Sequence, residues 1–310
     1  MQYQQLPKIP LQQVKLDFLE KKNIQLYVLR EDLIHPTISG NKWRKLYYNL
    51  QEANNQEKKQ LLTFGGAFSN HIAATAAAGK QFGFNTIGVI RGEEHLPLNP
   101  TLQLAVDNGM QLKYMSRELY RDEKYNPVFI EKLKNEVGDF YLIPEGGSNT
   151  FAVKGCTEII KNINIDYDTI CCACGTGGTI AGIIAAADVT KEIIGFPALK
   201  GGKFLKNDIQ QLLVDYQQQF FVEINHQNWS LNTSYHFGGY AKITHELIDF
   251  VNEFYQNHSI PLDLIYTGKM LFGILHLAKT TAFFNGKKIV AVHTGGLQGN
   301  KGFDKIKLIF

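Results

Sequence analysis

The sequence predicts an α/β fold with mainly parallel sheets and helices on both faces. Two observations carry that prediction. Short apolar runs rich in β-branched and aromatic residues alternate with stretches of helical periodicity over most of the 310 residues. Polar, mostly glycine-bearing clusters follow several of those runs directly. Strand–helix alternation needs crossover connections, and right-handed crossovers lay helices on both faces of a parallel sheet.

Taken in order, the runs that read as strands are "IQLYVL", "LLTF", "TIGVI", "QLKYM", "FYLI", "TICCAC", "EIIGF", "FFVEI" and "KIVAVH". Each is short, apolar and bounded by turn residues. The helical patterns between them are "NHIAATAAAGKQFG", "TLQLAVDNG", "NPVFIEKLKNEVG", "NDIQQLLVDYQQQ" and "AKITHELIDFVNEFYQNH". In the last, Ile243, Leu247, Phe250, Val251 and Phe254 recur near the 3.6-residue period. "LDLI" reads as a short strand or as the lead-in to a helix. No repeat, low-complexity tract or long linker interrupts the alternation. Candidate domain breaks are confined to the turn-rich "PTISGN" and "PEGGSN".

Composition is that of a globular chain, 44% apolar and 20% charged, with a formal net charge of only +3. Nothing in that balance argues for nucleic acid or an anionic membrane as partner. The first residues lack the basic start and apolar run of a secretory signal. The longest apolar stretch, "CCACGTGGTIAGIIAAADV", is broken by its glycines and is no membrane span. Of the four cysteines, Cys171 and Cys174 make a formal C-x-x-C. On a strand these two point to opposite faces, so they read as small buried residues and not as zinc ligands. Reduced thiols and no signal point to the cytoplasm.

The clusters that follow apolar runs are "GGAFSNH", "GTGGT", "YTGK" and "HTGGLQGN". In open parallel sheets, ligands bind beyond the carboxyl ends of the strands, so these clusters can line one cleft. "GTGGT" is the most specific. Glycines let backbone N–H groups crowd an anion, the following helix adds its dipole, and Thr176 and Thr179 add hydroxyls. A P-loop is absent, and a dinucleotide turn would need glycine where Ile180 stands, so a single phosphate group fits best. Ser69-Asn70 can cap the helix that follows and still present a side chain to a ligand. His71 and His293 have no carboxylate close by in sequence, and neither a metal site nor a triad is indicated. Upstream, "HPTISGNKWRKL" sets Lys42, Arg44 and Lys45 at the start of a helix, where cations oppose the dipole.

The ordered set "REDLIHPTISGNKWRKL", "GGAFSNH", "IPEGGSN", "GTGGT", "GGYAK", "YTGKM" and "HTGG" resembles the pyridoxal-phosphate enzymes of the tryptophan-synthase-β fold type. Within them it resembles the D-cysteine desulfhydrase and 1-aminocyclopropane-1-carboxylate (ACC) deaminase group. The resemblance implies two open, mainly parallel twisted sheets. It implies a larger cofactor-binding domain of residues 1–45 and 155–310, and a smaller mobile domain of 46–154. It implies pyridoxal 5'-phosphate as cofactor, a small amino acid as substrate, and a homodimer. It makes Lys42 the Schiff-base lysine, with neighbouring cations lowering its pKa. It puts the cofactor phosphate on Gly175, Thr176, Gly177, Gly178 and Thr179, Asn70 at the ring hydroxyl and Thr294 at the pyridine nitrogen. Ser69 falls near the substrate carboxylate and reacting carbons, and Tyr240 and Tyr266 match two active-site tyrosines.

ACC deaminases carry an acidic residue where this chain has Thr267 and leucine where it has Thr294. Both positions favour the desulfhydrase side. The region from 199 to 235 is unlike that of the group. The implied reaction is β-elimination from D-cysteine. The amino acid displaces Lys42, freed Lys42 or a nearby hydroxyl takes the Cα proton, thiolate leaves, and hydrolysis gives pyruvate and ammonia. Deamination of ACC to 2-oxobutanoate is the nearest alternative. A nucleotide-binding oxidoreductase built on "GTGGT" is more distant, because Glu192 lies before its strand and not at the strand's end. A binding protein that kept the fold would not need both Lys42 and the phosphate loop.

Overall fold

A computed structural model describes residues 7–303 and 306–310. Residues 1–6, on which the expectation of no secretory signal partly rests, lie outside the described residues. The chain runs through β1 (Leu11–Val14), α1 (Asp17–Lys21), β2 (Gln25–Leu29), α2 (Asn41–Asn55), β3 (Gln60–Gly66), α3 (Asn70–Phe82) and β4 (Asn85–Arg91). It continues with α4 (Pro100–Asp107), β5 (Met110–Met115), α5 (Arg117–Glu123), α6 (Pro127–Val137), β6 (Tyr141–Ile143) and α7 (Thr150–Thr157). The last part holds β7 (Thr169–Cys174), α8 (Gly178–Ala186), β8 (Glu192–Pro197), α9 (Leu205–Phe220), β9 (Trp229–Leu231), α10 (His245–His258), α11 (Thr267–Thr280) and β10 (Lys288–Val292).

Two sheets result, as expected. The larger has the order β1-β2-β10-β7-β8-β9 and the smaller β5-β4-β3-β6. Among the described residues every pairing of named strands is parallel except that of β1 with β2. Parallel strands end together, so the loops after β7 and β10, which are neighbours, emerge side by side. β7 is buried along its whole length. Its alternate residues enter different cores: Ile170, Cys172 and Cys174 pack on one side, Cys171 and Ala173 on the other. The cysteines are all free and buried, with Cys171 and Cys174 on opposite faces as the alternation requires.

One strand expectation fails. "FFVEI" is not a strand, because the apolar spacing of α9, with Leu205, Ile209, Leu213 and Tyr216 buried, continues to Phe220. Phe221 then adopts the left-handed conformation and closes the helix through its N–H to the Gln217 carbonyl. The edge strand of the larger sheet is Trp229–Leu231 instead. "LDLI" is a helix lead-in, and the start of "AKITHELIDFVNEFYQNH" stays outside α10, which Thr244 caps. Among the described residues no helix is long and apolar enough to cross a membrane.

Candidate active site

The entry to α2 is fixed by a backbone that only glycine tolerates. Gly40 has φ +62°, and a Cβ there would lie 2.0 Å from the Thr294 carbonyl oxygen. That close approach, closed by the Asn41 N–H to the same oxygen at 3.1 Å, joins α2 to the loop after β10. Trp43, Leu46, Leu50 and Ala53 of α2 are buried in the core. Lys42 and Lys45, three residues apart on a helix, share a face.

That face looks into a narrow cavity of about 70 Å³ at the carboxyl ends of β7 and β10. Lys42, Ser69, Asn70, Gly175, Thr176, Gly177, Thr179, Tyr240, Tyr266 and Thr294 all line it. Gly178 stands just behind, where a Cβ would meet Ser148 Oγ at 2.7 Å and Lys45 Nζ at 3.1 Å. The residues singled out from the sequence are therefore brought together.

Lys42 Nζ donates to Asn41 Oδ1 at 3.1 Å, and Asn41 Nδ2 donates to Thr179 Oγ1 at 2.8 Å. The pKa of Lys42 is pulled down to about 7, first by removal from water and second by the charge of Lys45. The expected cause, neighbouring cations, is thus only the lesser one, and Arg44 has no part in it. Its guanidinium forms a buried two-bond pair with Glu31, at 2.9 and 3.0 Å. Lys45 Nζ donates to the Gly146 carbonyl at 3.0 Å and to Ser148 Oγ at 2.9 Å, with Thr176 Oγ1 at 3.5 Å.

Ser69 caps α3, its Oγ accepting from the N–H groups of His71 and Ile72 at 3.2 and 3.4 Å. Its own hydroxyl proton stays available. Asn70 Oδ1 is buried and has no hydrogen-bond partner. The rings of Tyr240 and Tyr266 meet edge to face, with centroids 6.1 Å apart. Burial raises the pKa of both phenols, so at neutral pH they donate protons.

Several contributors were given no part in the site from the sequence. Asp263, fully buried, accepts from the N–H groups of Ile265, Tyr266 and Thr267 at 2.9, 2.7 and 2.8 Å and so orients Tyr266. Its signal was present: an Asp can accept from backbone N–H groups two and three residues on and set the turn that leads into a helix. Lys269, its pKa lowered to about 8 by burial, holds the loop before Tyr240 through the carbonyls of His236 and Gly239 at 3.0 and 2.8 Å. His71 bonds Thr63 Oγ1 at 2.8 Å, and burial keeps it neutral.

The residues present fit a phosphorylated aromatic aldehyde. Two amines line the cavity and, among the described residues, no carboxylate does. The glycine turn leaves the start of α8 open to an anion. The orphaned Asn70 Oδ1 can accept a hydroxyl proton.

Comparison with known proteins gives the same chemistry. The family model described as pyridoxal-phosphate dependent enzyme matches residues 4–295. A putative ACC deaminase of Pyrococcus furiosus is 32% identical over 91% of this chain and 88% of its own length. A bifunctional D-cysteine desulfhydrase/ACC deaminase of Arabidopsis thaliana is 30% identical over 91% of this chain and 74% of its own. The crystal structure of an ACC deaminase homologue superposes with a TM-score of 0.85 at 28% identity, covering 97% of this chain and 93% of that one.

Proposed function

This chain belongs to the pyridoxal-phosphate dependent enzyme family, and from that premise we propose that it eliminates the β substituent of a small amino acid, D-cysteine first, to give pyruvate, ammonia and sulfide. Its cofactor is pyridoxal 5'-phosphate. The observation that carries the reading is Lys42: an amine brought to about pKa 7, facing a glycine cradle in a cavity that no carboxylate lines among the described residues.

When bound, the cofactor supplies a carbonyl that joins an amine and a conjugated ring that takes up the electron pair left at Cα. Lys42 would hold the carbonyl end. Gly175, Thr176, Gly177, Gly178 and Thr179, with Lys45 behind them, would hold the phosphate. Asn70 would meet the ring hydroxyl and Thr294 the ring nitrogen, a neutral partner that moderates the electron sink. Displaced by substrate, Lys42 is neutral enough near pH 7 to accept the Cα proton. Ser69, whose Oγ already accepts from the His71 and Ile72 N–H groups, would bind the substrate carboxylate with its own hydroxyl proton at the start of α3. Tyr240 and Tyr266, both protonated, would donate to the departing sulfur.

ACC deamination is the second reading, and the names of the relatives at 31% and 32% identity favour it. Thr267 supports the first. Its hydroxyl donates to the buried Asp263 carboxylate, so an acidic side chain there would set two carboxylates against each other. A turnover screen over D-cysteine, L-cysteine, D-serine and ACC, read as keto acid and sulfide, tests the order. Production of 2-oxobutanoate from ACC without sulfide from either cysteine would reverse it.

We also propose that residues 46–154 close as a smaller domain over the larger one formed by 1–45 and 155–310. The separate four-stranded sheet, whose strands all lie between Gln60 and Ile143, supports that division. The enzyme would work as a homodimer in the cytoplasm, with no nucleic-acid or membrane partner.

A further inference from the structure

The catalytic cavity does not end at its tyrosines. Ser69, Tyr240 and Tyr266 also line a second, adjoining cavity of about 610 Å³, within the size range of small-molecule pockets. Its wall is largely apolar, built by Phe68, Leu199, Phe204, Leu205, Ile265 and Phe303. Phe68 and Phe204 are 42% and 51% exposed, so large apolar surfaces are left open there.

A bare thiolate is one sulfur atom, and it would leave this chamber wet against apolar walls. Of the charged lining residues, Glu145 is paired with Lys124 at 2.6 Å, and Arg91 and Asp208 carry opposite charges, so the chamber's charge does not call for an anionic substituent. Resting on the β-elimination reading, we propose that the chamber is a leaving-group subsite and that the substrate is an S-substituted D-cysteine carrying a neutral alkyl or aryl group of about benzyl size. The Cα proton passes to the Lys42 amine. The Cα–H electron pair forms the Cα–Cβ double bond as the Cβ–S bond breaks, and sulfur keeps that bond's pair and departs as thiolate into the chamber. The unsaturated amine that remains takes one water and yields pyruvate and ammonia. No net oxidation occurs.

The test compares S-benzyl-D-cysteine with D-cysteine on the holoenzyme and on Phe204→Ser, measuring pyruvate and released thiol. We expect kcat/KM for the thioether to exceed that for D-cysteine by about tenfold or more. We expect Phe204→Ser to remove about tenfold of it while leaving D-cysteine within about twofold. On Lys42→Ala, which cannot turn substrate over, calorimetry should find the thioether bound more tightly than D-cysteine. Sulfide from D-cysteine with a poorer thioether, or an equal effect of Phe204→Ser on both, overturns the subsite and leaves elimination standing. Pyruvate from neither amino acid, with 2-oxobutanoate from ACC, overturns both.

Discussion

Lys45 Nζ lies 2.9 Å from Ser148 Oγ, so the second lysine of α2 is tied to the loop after β6 and stands behind the glycine turn. Its charge serves two ends. It lowers the pKa of Lys42, and in the proposed reading it is the cation that meets the phosphate. Removing a charged hydrogen-bond donor costs about 1.5–3 kcal/mol, which is about ten- to a hundredfold in affinity. Lys45→Met should weaken binding of pyridoxal 5'-phosphate by that factor and leave pyridoxal, which lacks the phosphate, nearly unaffected. Titration by visible absorption measures both. An equal loss for the two aldehydes would remove Lys45 from the phosphate site.

The pH dependence follows from Lys42. An ordinary lysine near 10.5 reacts poorly with aldehydes at neutral pH, but one near 7 is half neutral there. The rate at which the apoprotein takes up cofactor should climb through pH 7 and level off by about pH 8. Lys45→Met should move that midpoint upward. Stability has a definite sign as well. The folded pKa lies below the unfolded one, so between them the unfolded chain binds more protons and stability rises with pH. Apoprotein melts should show wild type gaining on Lys42→Met as pH rises above 7. A cofactor uptake midpoint near 10 would refute the assignment.

The fold was legible wherever periodicity was local. β7, β10 and α3 declare themselves through apolar runs and caps, and each is followed or preceded by the cluster that lines the site. "FFVEI" misled because an apolar run can be a strand or the seam where a helix ends, and only the packing of α9 decides. β9 at the sheet edge is too short to announce itself. In the site, side chains within recurring motifs could be read, but partnerships made by folding could not. Arg44 looked like a companion of Lys42 until Glu31, thirteen residues earlier, took it. Asp263 looked like part of an apolar run, though an Asp shortly before a helix start is a turn-former that was visible.

Gly40 offers a test with a built-in control. Gly40→Ala must hold φ near +62° and place a methyl 2.0 Å from a backbone oxygen. Gly83, at the end of α3, also has positive φ, but a Cβ there meets nothing within 4 Å. Gly83→Ala should therefore cost only the backbone term, about 1–2 kcal/mol. Gly40→Ala should cost clearly more and also reduce cofactor affinity, because Lys42 and Thr294 sit on the two sides of the contact. Urea unfolding and cofactor titration read the two effects. Equal costs at both positions would mean that the α2 entry is not held as described.

The buried pair of Glu31 and Arg44 anchors α2 from the face opposite the cavity. Both side chains are nearly inaccessible, at 0% and 5%, and their two hydrogen bonds fix the guanidinium in plane with the carboxylate. Breaking such a pair leaves one charge buried alone, at a cost of about 3–5 kcal/mol, whereas replacing both partners by apolar groups of similar volume is often neutral. Glu31→Leu should therefore lower unfolding free energy by about that amount, and Glu31→Leu combined with Arg44→Met should recover most of it. Recovery would separate two roles for the helix start. If Arg44 only anchors α2, the double variant retains the wild-type pH midpoint for cofactor uptake, since Lys45 and burial govern Lys42. If the double variant is stable but its midpoint shifts, Arg44 acts on the lysine after all, and the division of labour among the three cations at positions 42, 44 and 45 is wrong.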